Sequence, residues 1–176
     1  WELHHPIEYQ NHIFDELFRI GKAHGLKPFG IRAMDSMRLE KSYRLVGTEM
    51  SIEYAALESG LDRFVQLQKP HFIGREGLLS WQGRGFENSF ATLRVDNTTD
   101  ADAIGGNPIY LKGELVGRAT SGGYGFRVGA SLALAMIRPA HAEVGTKLEI
   151  DILGTRYPAE IIDESPFDPH NEKLCS

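Results

Sequence analysis

At 176 residues the chain is long enough for one well-filled core or two small ones, and 41% hydrophobic with 24% charged residues is an ordinary globular balance. A net charge of −5 excludes nucleic acid or an anionic membrane as the main partner, because both demand clustered Lys and Arg. No apolar run approaches the roughly 18 residues of a membrane-spanning helix, and no secretory or transit segment is recognisable.

The chain opens WELHHPIEYQNH. Pro6 suits a first helical turn, and apolar spacing predicts a helix over 7–24 that Gly25 ends. Ile13, Phe14, Leu17 and Phe18 share its apolar face. Glu8, His12, Asp15 and Arg19 fall on the opposite face as two i,i+4 pairs, Glu8–His12 and Asp15–Arg19. That is the pattern of a solvated face. A metal site would need ligands converging from elsewhere, and the sequence supplies no such set, so none is expected. Glu2 differs: it stands upstream of the helix, at what reads as the end of a strand, where a carboxylate can face a pocket.

A second helix is expected over 31–41, with Ile31, Met34 and Met37 inward and Arg38, Glu40 and Lys41 outward. Turns and short irregular pieces follow to Leu61, and HFIGREGLL leads into Trp81. The Gly-rich, polar QGRGFEN (82–88) is the expected boundary, dividing the chain into 1–82 and 83–176. Beyond it the chain reads as β. Phe90 to Val95 is a strand, 108–112 and 115–119 flank a Gly113-Glu114 hairpin, and Leu132 to Ile137 is a strand-sized apolar run. KLEIDILGTRYPAEII alternates apolar and polar residues on both sides of Gly154-Thr155. Short strands with turns about every ten residues predict a small barrel or sandwich, giving an α+β chain with an all-β rear part. Cys175, the single cysteine, excludes an internal disulfide, fits a reducing compartment, and in DPHNEKLCS has no local reason to act as a nucleophile. The cytoplasm is the expected location, with the mitochondrial matrix as the alternative.

Three stretches together resemble the glycine-cleavage T-protein (aminomethyltransferase) family. They are WEL; MDSMRLEKSYRLVGTEM with ALESGLDRFVQLQKPHFIGREGLL; and LVGRATSGGYGFRVGASLALAMI with VGTKLEIDILGTRYPAEII. RLEKSYR, KPHFIGR and the Tyr-Pro-Ala near the end resemble one branch in particular, the flavin-linked N-methylglycine enzymes. These are dimethylglycine oxidase, dimethylglycine dehydrogenase and sarcosine dehydrogenase, in which a folate-binding region follows an FAD-binding one. The resemblance implies the C-terminal part of a T-protein-like folate-binding fold followed by a small antiparallel β-barrel. It also implies a larger parent, with this segment inactive on its own, in which tetrahydrofolate and the flavin and folate segments upstream are the partners. The family's catalytic Asp would lie upstream, so no catalytic residue is expected here. FAD would belong only to the upstream region, because GGYGFRVG misses G-x-G-x-x-G by one position and does not open a βαβ unit.

By the same resemblance Glu2 matches the pterin-binding glutamate, with Leu3 and His4 bordering the pocket. A carboxylate can accept two N–H bonds from the pterin's 2-amino edge; an exposed strand residue would look the same in sequence. Tyr43 matches an aromatic position lining the folate site, although a core tyrosine is an equally simple reading. Arg38 and Glu40 read as a structural charge pair. Thr120 to Tyr124 reads as a turn between barrel strands. Met34 stands where the aminomethyltransferases carry a folate-site Arg, which favours the flavin-linked branch, and Arg63 stands where they commonly have a Trp. The implied function is capture of a one-carbon unit from dimethylglycine or sarcosine as 5,10-methylenetetrahydrofolate. A stand-alone aminomethyltransferase and a non-catalytic T-protein-like module are the alternatives.

Overall fold

A computed structural model describes residues 2–98, 100–173 and 175–176, and the chain divides into two compact units, Trp1–Ile31 and Arg32–Ser176. Trp1, the first residue of the WEL element, lies outside the described residues. Glu2 is not in a strand.

In the first unit, helix α1 (Gln10–Gly21) is extended at both ends by 3-10 turns, Ile7–Tyr9 and Lys22–His24. Gly25 follows in the left-handed region at φ +70°, where glycine escapes the Cβ clash, so the helix ends where the sequence predicts. Phe14 and Phe18 stack with ring centroids 4.5 Å apart. Arg19 pairs with Glu16 at 2.6 Å, three residues back, rather than with Asp15.

Helix α2 (Ile31–Glu40) buries Ser36, Leu39 and Glu40, which share the i, i+3, i+4 stripe. The expectation that Ile31, Met34 and Met37 point inward is corrected, since all three are exposed. Helix α3 (Arg75–Arg84) precedes the barrel, and the boundary expected after Gln82 falls within its last turn.

Six strands close the barrel: β1 (Ser89–Val95), β2 (Pro108–Leu111), β3 (Glu114–Gly125), β4 (Ala130–Ile137), β5 (Lys147–Ile152) and β6 (Thr155–Ile162). Their order around the barrel is β1-β4-β3-β2-β5-β6, antiparallel at every pair, so no edge is left open. Alternate residues fill the interior: Leu93, Ala133, Ala135, Ile137, Ile150 and Ile161 are all buried, with alanines where the wall must come close. β4 is apolar throughout because both its faces are covered. Its outward Leu132, Leu134 and Met136 pack with Leu39 of α2 and with Phe90.

Both hairpins turn one residue earlier than expected, at Lys112-Gly113 (φ +51° and +86°) and Leu153-Gly154 (φ +53° and +84°). Positive φ at both central residues is the type I′ geometry that suits the twist of paired strands. The expected turn at Thr120 to Tyr124 is also corrected, because these residues run inside β3, which bulges between Ala119 and Ser121. Their glycines serve close approach. A Cβ at Gly123 would meet Leu39 Cδ1 at 3.1 Å, and one at Gly125 would meet Glu40 Cγ at 3.0 Å. Helix α2 therefore lies directly on β3, fastened by Ser36 Oγ donating to the Tyr124 carbonyl at 2.7 Å.

Candidate functional site

The RLEKSYR stretch ends α2 and crosses onto the barrel. Ser42, in the left-handed region at φ +53°, turns the chain, and the Tyr43 N–H donates back to the Arg38 carbonyl at 3.0 Å. Almost every side chain here has a structural partner. Arg38 donates to the Tyr43 carbonyl at 2.9 Å and lies 3.4 Å from Asp35 and 3.8 Å from Glu49. Glu40 is buried and accepts the Arg127 and Val128 N–H groups at 2.5 and 3.1 Å. The expected Arg38–Glu40 pair is thus corrected: each serves a different loop. Arg44 forms a two-pronged pair with Glu164 at 2.7 and 2.9 Å, donates to the Ser59 carbonyl at 2.8 Å, and stacks 3.6 Å over the Phe90 ring.

Tyr43 is the exception: among the described residues its side chain makes no hydrogen bond, and Lys41 Nζ stands 6.0 Å from its ring centroid. Its side chain is 42% exposed, which removes the core-tyrosine reading. It lines a cleft of about 340 Å³ with Arg44, Met50, Leu61, Arg63 and Phe64. A second hollow of about 320 Å³ shares Arg63 and Phe64 and adds Lys69 and Phe72. Neither is lined by a carboxylate, and among the described residues neither Arg63 nor Lys69 has one within ion-pair distance. Arg63 instead stacks 4.7 Å over Phe64. In an acidic chain, aromatic walls beside two uncompensated cations suit a planar ligand with anionic groups. A further groove of about 880 Å³ beside β3 has its arginines occupied: Arg118 by Glu53 and Tyr54, Arg138 by Glu114.

Glu2, Leu3 and His4 lie together in the first unit and are exposed. The Glu2 carboxylate stands 3.5 Å from His4 Nε2. Tyr43 belongs to the second unit. Among the described residues no cluster of three metal-ligating side chains occurs.

Sequence reasoning missed two buried glutamates, Glu49 and Glu58. Glu49 is fully buried and accepts four hydrogen bonds, from Thr120 and Ser121 Oγ at 2.5 and 2.7 Å, Thr48 Oγ1 at 2.7 Å and the Leu45 N–H at 2.9 Å. Burial pushes its carboxyl up, but these donors, led by Thr120, outweigh that and leave its pKa below the ordinary value. Glu58 accepts the N–H groups of Ala55, Glu87 and Asn88 at 2.9, 3.1 and 2.9 Å, joining two distant loops. The available signal was a lone acid among small and apolar residues, as in ALESGL.

Two family models match. The GCVT N-terminal domain matches residues 1–69, and the glycine cleavage T-protein C-terminal barrel domain matches residues 88–168. The mitochondrial dimethylglycine dehydrogenase of Mus musculus is 38% identical over 93% of this chain and 19% of its own length. The aminomethyltransferase of Desulfitobacterium hafniense strain DCB-2 is 30% identical over 92% of this chain and 44% of its own. The chain therefore spans about a fifth of the one and under half of the other. The crystal structure of glycine cleavage system aminomethyltransferase T from Bartonella henselae shares the fold, with a TM-score of 0.80 at 20% identity over 93% of this chain and 45% of that one. A closed six-stranded barrel carrying RLEKSYR on its outer face, matched in both segments by these models, belongs to the glycine-cleavage T-protein family.

Proposed function

We propose that this chain forms one flank of a tetrahydrofolate site in a one-carbon-transfer enzyme of the flavin-linked N-methylglycine branch. The observation that carries the reading is the half-exposed Tyr43 ring beside Arg63 in an acid-free cleft, on a segment whose other side chains are committed to the fold. The residues present fit such a ligand: Tyr43 offers a face for a flat ring, and Arg63 with Lys69 complements the carboxylates of its glutamyl tail. Glu2, engaged only by His4 among the described residues, would accept N–H bonds from the pterin's 2-amino edge, with Leu3 and His4 bordering it.

Tetrahydrofolate, when bound, supplies the two nitrogens that take up a one-carbon unit as 5,10-methylenetetrahydrofolate. The work of this chain is to orient the ligand and keep water from one side of it. Proton transfer and FAD-dependent oxidation of dimethylglycine or sarcosine belong, in this proposal, to groups outside these residues. Greater identity to dimethylglycine dehydrogenase than to aminomethyltransferase, together with Met34 in place of an Arg, supports the flavin-linked branch. The mitochondrial designation of that relative supports the matrix alternative over the cytoplasm. A stand-alone aminomethyltransferase is the second reading, supported by relatives of that name at 28–32% identity.

The test is product formation. Full-length protein given sarcosine or dimethylglycine with tetrahydrofolate should form 5,10-methylenetetrahydrofolate, and Tyr43→Ala should uncouple its formation from amine oxidation. Folate product made at an unchanged yield per amine oxidised by Tyr43→Ala would overturn the assignment. Product formed only from an aminomethylated protein carrier would select the second reading.

A further inference from the structure

We propose that the segment following β6, residues 163–173, is a clasp that aims Tyr43, with Lys41, Ser42 and Arg44 as its positioning residues. The proposal rests on the reading of Tyr43 as a folate contact.

The segment grips the end of α2 one residue after another. The Phe167 N–H donates to the Glu40 carbonyl at 3.1 Å. Lys41 Nζ donates to the Asp168 carbonyl at 2.5 Å and to Asn171 Oδ1 at 2.7 Å, while the Lys41 carbonyl accepts from Ser165 Oγ at 2.8 Å. Ser42 Oγ accepts the Ser165 N–H at 2.9 Å and shares a 2.8 Å hydrogen bond with Thr92 Oγ1 of β1. Arg44 closes the run through its two-pronged pair with Glu164. Between Glu40 and Arg44, Tyr43 is the residue for which no hydrogen bond to this segment is found among the described residues, and its side chain is left to the cleft.

Both strands of the clasp are bent in ways that need support. Ser42 has φ +53°, and Ser165, Asp168 and Asn171 have φ +55°, +49° and +57°. Such left-handed backbone is unfavourable for residues with a Cβ and persists where surrounding contacts over-determine it. Here each bend is fastened by the other's side chains. Phe167, held between Arg127 and Lys173 at 5.3 and 5.1 Å, anchors the segment to the β3–β4 turn. The backbone on either side of Tyr43 is therefore fixed before any ligand arrives. A ring aimed in advance loses less freedom on binding, so the clasp should strengthen ligand binding through Tyr43 alone.

A double-mutant cycle on the full-length protein tests this. Glu164→Gln removes the charge of a half-exposed side chain with little change of shape, and Ser165→Ala, which removes the hydroxyl donor to the Lys41 carbonyl, is a second route to the same loosening should the first variant fold poorly. With Tyr43 present, either should weaken tetrahydrofolate binding about five-fold; with Tyr43→Ala, neither should weaken it further. Where Tyr43→Ala itself weakens binding, equal weakening by the clasp variants in both backgrounds, or none in either, would overturn the clasp. Fluorine NMR of 3-fluorotyrosine at position 43 gives a readout that does not depend on folate: loosening should shift or broaden its resonance, and an unmoved line would also end the proposal. If Tyr43→Ala alone leaves affinity unchanged while the resonance moves, the clasp stands and the folate reading fails.

Discussion

Glu49 shows how one residue can tie a site to its scaffold. It joins Thr48, before the cleft residue Met50, to Thr120 and Ser121 at the β3 bulge, with Arg38 3.8 Å away. Its folded pKa lies below the ordinary value, so its contribution to stability is present above the unfolded pKa of about 4.3 and is lost as pH falls through the folded one. Glu49→Gln should therefore cost about 1–3 kcal/mol near pH 7, and the gap to wild type should narrow as pH is lowered toward 3. Denaturant melts across that range check it; a gap independent of pH would contradict it. Tyr43 could be picked out in the sequence as an aromatic in a motif, but its exposure could not. The partners of Lys41, Ser42 and Arg44 around it come largely from residues 59–60, 92 and 163–171, and no local pattern announces contacts across such separations.

Elements governed by local chemistry were legible. α1, the alternating strands β5 and β6, and the apolar β4 follow from spacing alone, and both hairpins were placed to within one residue. The misreading of Thr120 to Tyr124 has a physical cause. Serine and glycine usually mark turns, but here they thin a strand so that other chain segments can press against both its faces. Gly122 is the tightest case: a Cβ there would meet the Ala103 carbonyl oxygen at 2.2 Å, and backbone cannot step aside as a side chain tip can. Gly122→Ala should lower unfolding free energy by about 1–3 kcal/mol. Gly83, in α3 with open space around it, should tolerate the same change or gain up to about 1 kcal/mol. Parallel chemical melts of the two variants decide it, and equal behaviour would refute the close-approach account.

At the scale of the whole chain, the buried core and the candidate site occupy different places. The interior of the barrel and the Leu39 cluster on its outside supply the buried apolar core, whereas α1 buries none of its residues and leaves Phe14, Leu17 and Ile20 exposed at 54%, 47% and 54%. Leu134→Ala should accordingly cost the 176-residue chain about 2–5 kcal/mol, against about 0.5 or less for Leu17→Ala. A comparable loss for both in thermal unfolding would mean that α1 is packed after all. The candidate site lies on the surface of that stable body. The Tyr43 ring is the proposed contact with a reduced pteridine. Calorimetric titration of the full-length protein with tetrahydrofolate tests this most directly. Tyr43→Ala should weaken binding about ten-fold, near 1.4 kcal/mol. Wild-type affinity in that variant would contradict the account.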